Sequence, residues 1–82
     1  MASPLLQLRI ANFISTVNCG DEMILSRDGS LEQGTGLIFG YGHEGYYLED
    51  GCHRADLGET VTTAEVLRIA ADVARDTGAE LA

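Results

Sequence analysis

A distance along the chain sets the tightest limit on the fold. Two short apolar runs, Leu37-Ile38-Phe39 and Tyr46-Tyr47-Leu48, are separated only by Gly40-Tyr41-Gly42-His43-Glu44-Gly45. Both runs are rich in residue types that fit a pleated, half-buried surface. Six residues cannot host the crossover of a dozen or more that a parallel pair requires, so the runs are expected as neighbouring antiparallel strands. Upstream, Met23-Ile24-Leu25 continues the pattern. The hairpin dipeptide Asp28-Gly29 follows it, and Leu31 to Gly34 is placed as a short return strand. Downstream, Arg54-Ala55-Asp56-Leu57 supplies an edge strand, which gives a meander of three or four strands.

Helical spacing brackets this β segment. At the C-terminal side, Thr62 followed by Glu65 reads as a capping box, in which each side chain satisfies the other residue's free backbone N–H. Val61 and Val66 have the spacing of a hydrophobic staple across the same turn. Val66, Ile69, Ala70, Val73 and Thr77 then share one face of a helix expected over 63–77, with Gly78 as its stop. The small residues Ala70, Ala71 and Ala74 would let that helix sit close on the sheet. At the N-terminal side, Ser3 is a good N-cap and Pro4 suits the first helical position. Leu6, Ile10, Phe13, Ile14 and Val17 follow at helical spacing, and Asn18 and Gly20 would end the element. Leu6, Leu8 and Ile10 also alternate with Gln7 and Arg9 as a strand would, but the alternation fails at Asn12-Phe13. A helix accounts for more of residues 5–17, with a strand as the open alternative. The expected architecture is a single α+β domain over residues 1–82: helix, antiparallel meander, helix.

Charge narrows the function classes. Thirteen acids face five bases, all arginine, for a formal net charge of −8. A nucleic-acid binder needs cations to neutralise phosphates, and an anionic membrane surface repels a chain of this sign. The partner expected of such a surface is a basic protein, whose encounter the acidic field accelerates. The sequence begins without a basic, apolar leader, and no run approaches the roughly 20 apolar residues of a membrane span, so a cytoplasmic location is expected. Two cysteines, Cys19 and Cys52, are then expected as reduced, partly buried thiols.

The motifs that could carry chemistry are weak. Gly40 to Gly45 matches G-x-G-x-x-G, but a dinucleotide fingerprint must open a helix inside a βαβ unit. Here apolar β-like runs flank it on both sides, so it reads as a glycine-rich hairpin. Cys19, His43, Cys52 and His53 are the only thiol and imidazole ligands, and they contain neither C-x-x-C nor H-x-x-x-H spacing, so no metal or other cofactor is assigned. Cys19 beside Gly20, or Cys52 with His43, supplies the residue types of a nucleophile and a base. No third residue or oxyanion hole is named by the sequence, and no enzymatic activity is assigned.

The segment from Glu44 to Glu59 is the best binding candidate. Its carboxylates Glu44, Glu49, Asp50, Asp56 and Glu59 stand against the single Arg54, interleaved with Tyr41, Tyr46 and Tyr47. Tyrosine is enriched at protein interfaces, and carboxylates pair with arginine or lysine on a basic partner. Alternation puts Tyr46 and Tyr47 on opposite faces of a strand, one in the core and the other available.

The stretch Gly45-Tyr46-Tyr47-Leu48-Glu49-Asp50, then Leu57-Gly58-Glu59-Thr60-Val61-Thr62, then a helix ending at Thr77-Gly78, resembles the C-terminal part of small bacterial immunity proteins of polymorphic-toxin systems. That resemblance covers about half the chain and implies a non-catalytic antidote that blocks a toxin, often one acting on nucleic acid. Members of those families usually carry Trp and are longer; this chain has no Trp. Phage anti-CRISPR proteins are similar in size and charge only. Both imply one mechanism, in which an acidic surface occupies a basic nucleic-acid-binding face. The alternative expectation is a structural subunit that completes a thin core by homodimerisation.

Overall fold

The computed structural model describes residues 3–26, 36–50, 54–77 and 81–82, with residue 77 described by its backbone. The first element is a helix, α1 (Pro4–Thr16). Ser3 caps it, its side chain accepting from the Leu6 N–H at 3.2 Å, and Pro4 occupies the first turn. The α1 face read from the sequence is the inward one: Leu6 and Ile10 are fully buried and Phe13, Ile14 and Val17 pack partly against the core. The strand alternative for residues 5–17 is thereby excluded.

Among the described residues four strands follow, β1 (Glu22–Ile24), β2 (Ile38–Gly42), β3 (Gly45–Glu49) and β4 (Arg54–Gly58), paired antiparallel in the order β1-β2-β3-β4. The expected Asp28-Gly29 turn and the return strand from Leu31 to Gly34 lie outside the described residues. The segment between β2 and β3 is more compact than a six-residue loop. Both strands run into it, Gly42 pairs with Gly45, and only His43 and Glu44 remain in the turn. Gly45 takes the left-handed conformation there (φ +102°), and a Cβ on it would collide with the backbone of Gly58 on β4. A hairpin this tight needs a residue that reaches positive φ without strain, and glycine is that residue.

The last element is α2 (Thr63–Thr77). Thr62 Oγ1 accepts from the Glu65 N–H at 3.2 Å, which is half of the capping box. The other half differs from expectation, because the Glu65 carboxylate accepts from the Thr62 hydroxyl instead of the Thr62 backbone. Val66, Ala70 and Ala74 are the buried side of α2, with Leu67, Ile69 and Val73 partly covered. Ala71, expected among the residues closest to the sheet, is exposed; it lies one step around the helix from Ala70.

Sheet register assigns every strand residue to a face. Met23, Phe39, Leu48 and Ala55 are laterally aligned, as are Tyr41 and Tyr46, and both sets point inward. Leu6, Ile10, Val66, Ala70 and Ala74 from the two helices join Met23, Phe39, Tyr46 and Leu48 in one core, so both helices cover the same side of the sheet. Aromatic rings run through that core. Phe13 on α1 meets Phe39 at 5.2 Å between centroids, Phe39 stacks on Tyr46 at 5.5 Å, and Tyr46 meets Tyr41 at 4.6 Å. Beyond β1, Ser26 bridges to Leu81, the Ala82 N–H donates to the Leu25 carbonyl at 2.9 Å, and the Ser3 N–H donates to the Ala82 carbonyl at 3.0 Å. These bonds tie the start of α1 and residues 81–82 to the margin of the sheet.

Candidate interaction face

With both helices on one side, the other side of the sheet presents two lateral rows. One is Glu22, Gly40, Tyr47 and Asp56; the other is Ile24, Ile38, Glu49 and Arg54. Three carboxylates and one guanidinium therefore share this outer face with a tyrosine and two half-buried isoleucines. A β-bulge at Leu57 shifts the β3–β4 register between Tyr46 and Tyr47, so that Tyr46 is opposite Gly58 and Tyr47 opposite Asp56. On the near side of the bulge Asp56 stays opposite Tyr47 and Arg54 opposite Glu49, while Leu57 packs partly against the core.

Tyr47 organises the face. Among the described residues it is the one buried hydrophobic side chain outside the central core. Its ring lies across Gly40, where a Cβ would come within 2.5 Å of the ring, so the bare glycine on β2 provides the bed for the tyrosine. Reaching over Gly40, the Tyr47 hydroxyl donates to Glu22 Oε2 on β1 at 2.6 Å. Arg54 on β4 places its guanidinium 4.1 Å from the ring centroid, a cation–π contact, and bonds Asp56 Oδ1 through Nε at 3.1 Å. One side chain on β3 thus links three other strands. Burial, then the hydrogen bond to Glu22, push the Tyr47 hydroxyl up to about 12. Tyr46 is also raised, first by burial and then by neighbouring Tyr41. The Arg54 guanidinium is held further into its charged form by the bond to Asp56.

The structure divides the sequence-derived binding set. Tyr47, Glu49 and Asp56 share the outer face, while Tyr41 and Tyr46 point into the core. Glu44 is exposed in the β2–β3 turn, Glu59 is exposed just past β4, and Asp50 is half-buried after β3. Opposite faces for Tyr46 and Tyr47 were legible from alternation, but the expectation that one of them stays available is corrected. Tyr47 is only 9% exposed, because Gly40, Glu22 and Arg54 enclose it from three strands. Sequence reasoning missed Glu22 and Arg54 as parts of this site. Glu22 sits 25 residues from Tyr47, and only the β1–β2 and β2–β3 registers together bring it alongside.

A second cluster lies at the end of the sheet carrying the β2–β3 turn. Cys19 Sγ is 3.8 Å from His43 Nδ1, and both residues are exposed, which corrects the expectation of a partly buried Cys19: its segment lies beyond the end of α1, outside the core. Cys52 and His53 lie outside the described residues, and among the described residues no group of three or more Cys, His, Asp and Glu is arranged to hold a metal ion. No described helix is long and apolar enough to cross a membrane. Compared with protein families, curated proteins and solved structures, the chain matches none.

Proposed function

We propose that this chain is a non-enzymatic protein inhibitor that docks the acidic outer face of its sheet onto a basic, nucleic-acid-acting protein and blocks it. The observation that carries this reading is the register itself, which gathers Glu22, Glu49 and Asp56 around Tyr47 and Arg54 on the side opposite the helices. Such a face offers carboxylates to arginine and lysine, with two half-buried isoleucines beside them to exclude water. The overall charge of −8 steers a basic partner toward it. A free, exposed Cys19 suits a reducing compartment such as the cytoplasm. An antidote of the immunity-protein kind, or a phage inhibitor of a host defence complex, would use this same mechanism.

The test starts with capture of partners from the native host on the tagged chain at low and at high salt. A basic nucleic-acid-handling protein must be retained at low salt, and its activity on nucleic acid must be abolished at a one-to-one ratio. The double charge reversal Glu49→Lys with Asp56→Lys must slow association severalfold and flatten its salt dependence. A partner that binds the reversed chain equally well would place the contact elsewhere.

A different observation favours self-association as the second reading. Leu5 and Leu8 on α1 are large apolar side chains left 65% and 58% exposed, three residues apart on one side of the helix. Sedimentation that stays monomeric over a wide concentration range would remove it.

A further inference from the structure

We propose that Cys19 and His43 form a thiol–imidazole pair that undergoes reversible disulfide exchange with cationic low-molecular-weight disulfides. The pair is built by the fold. It joins residues 24 apart, one in the segment after α1 and one in the β2–β3 turn. Four hydrogen bonds fix that segment. The Gly20 N–H donates to the Tyr41 carbonyl at 2.8 Å, and the Tyr41 N–H donates to the Asp21 carbonyl at 3.1 Å. Locally, the Asp21 N–H donates to the Asn18 carbonyl at 3.0 Å and the Asn18 N–H to Asp21 Oδ2 at 2.9 Å. Gly20 at φ +97° makes the tight reversal that turns Cys19 toward the hairpin. On the other side, His43 is one of only two residues in the β2–β3 turn, so its position follows from the strand pairing.

The chemistry follows from the contact. A thiol is a nucleophile as its thiolate, and a base at hydrogen-bond range takes its proton. Nδ1 of His43 is that base at 3.8 Å, within the reach of a sulfur hydrogen bond. In the exchange, Cys19 Sγ attacks one sulfur of the incoming disulfide and a new Sγ–S bond forms as the old S–S bond breaks. The proton passes from Cys19 to His43 and then to the departing thiolate, which leaves as a thiol. No net oxidation occurs, since the disulfide bond is exchanged rather than created. Charge selects the reagent. Asp21 lies two residues beyond Cys19 and Glu44 directly follows His43, both exposed. A disulfide bearing ammonium groups is concentrated at this end of the sheet, and one bearing carboxylates is repelled.

The experiment uses the full chain with cystamine, a dication, and glutathione disulfide, a dianion, as probes. The rate of mixed-disulfide formation at Cys19 is read by peptide mass mapping, which separates it from Cys52. Native Cys19 should react severalfold faster with cystamine than the same thiol does in denaturing urea. His43→Asn should abolish that excess, and Glu44→Gln should narrow the preference for cystamine over glutathione disulfide, as should added salt. A native rate no higher than the unfolded rate overturns the pairing without recourse to a variant. Equal rates in the His43→Asn chain overturn the role of the imidazole, and equal reactivity toward the two probes overturns the charge selection.

Discussion

Replacing Tyr47 with Phe removes a single oxygen from the outer face and leaves the ring on Gly40 and beneath Arg54. What is lost is the hydrogen bond to the Glu22 carboxylate, 2.6 Å long and partly buried. Bonds to charged groups contribute about 1.5–3 kcal/mol net, and Glu22 is exposed enough for water to replace the hydroxyl on its side, so the cost belongs near 1.5 kcal/mol. For a domain of this size that is a fall in Tm on the order of 6–12 °C at pH 7.

The same bond makes a second, independent demand. The folded state raises the Tyr47 hydroxyl from 10.0 to about 12, so between those values it holds a proton that the unfolded chain releases. Stability from this group is fully present below pH 10 and is lost as pH climbs toward 12, with about 1.4 kcal/mol gone by pH 11. Burial also raises Tyr46, so both proteins weaken in alkali, and only the gap between them reports on Tyr47. Urea unfolding of the natural chain and of Tyr47→Phe at pH 7, 9, 10 and 11 measures that gap. It should stand near 1.5 kcal/mol at neutral pH, shrink as pH rises and nearly close at about pH 11. A gap that is absent at pH 7, or that holds constant through pH 11, would refute the account of the Tyr47–Glu22 bond.

Gly40→Ala places a methyl group 2.5 Å from the Tyr47 ring and should cost about 1–3 kcal/mol by overpacking. In a Tyr47→Ala background the same substitution should be nearly neutral, and a double-mutant cycle by urea unfolding reads the coupling. Thr62→Ala removes the acceptor for the Glu65 N–H at the start of α2 and should cost about 1 kcal/mol, measured as a lower urea midpoint at unchanged m. Arg54→Ala deletes the one cation among the described residues of the outer face. It should speed association of a basic partner at low salt and cost little stability, whereas slower association in a stopped-flow measurement would make Arg54 itself a contact.

The elements were legible because their signals are local. The α1 face from Leu6 to Val17 repeats at helical spacing, Thr62 and Glu65 mark the start of α2, and the short gap between Phe39 and Tyr46 forces an antiparallel pair. The outer face was only partly legible. Alternation separates Tyr46 from Tyr47 without saying how deep either lies, since depth depends on what crosses from neighbouring strands. Tyr47 is buried by a side chain that is missing, at Gly40, and by two that come from β1 and β4. Alternation in Arg54-Ala55-Asp56-Leu57 puts Arg54 and Asp56 on one face, but no local pattern there announces the bulge that sets Tyr46 opposite Gly58. The Cys19–His43 contact is likewise a product of register: 24 residues separate the two, and nothing in their spacing announces that the β2–β3 turn comes beside the segment after α1.

The outer face already holds one example of the contact proposed for its partner. Arg54 lies over the Tyr47 ring with its Nε on Asp56, which is how an incoming arginine would bind a tyrosine and a carboxylate together. This internal pair is exposed at both ends, 45% for Arg54 and 61% for Asp56, so water and salt screen it and it adds little to stability. A partner's guanidinium can therefore displace Arg54 from Asp56 at small cost, and Arg54 keeps the carboxylate satisfied until that exchange. Tyr47 cannot move with it, because its ring is bedded on Gly40 and its hydroxyl is committed to Glu22. The ring is thus a fixed platform and the charges around it are the exchangeable part. Affinity would then depend on what the partner brings to Glu49 and Asp56, and the shape of the site on the bond between Tyr47 and Glu22.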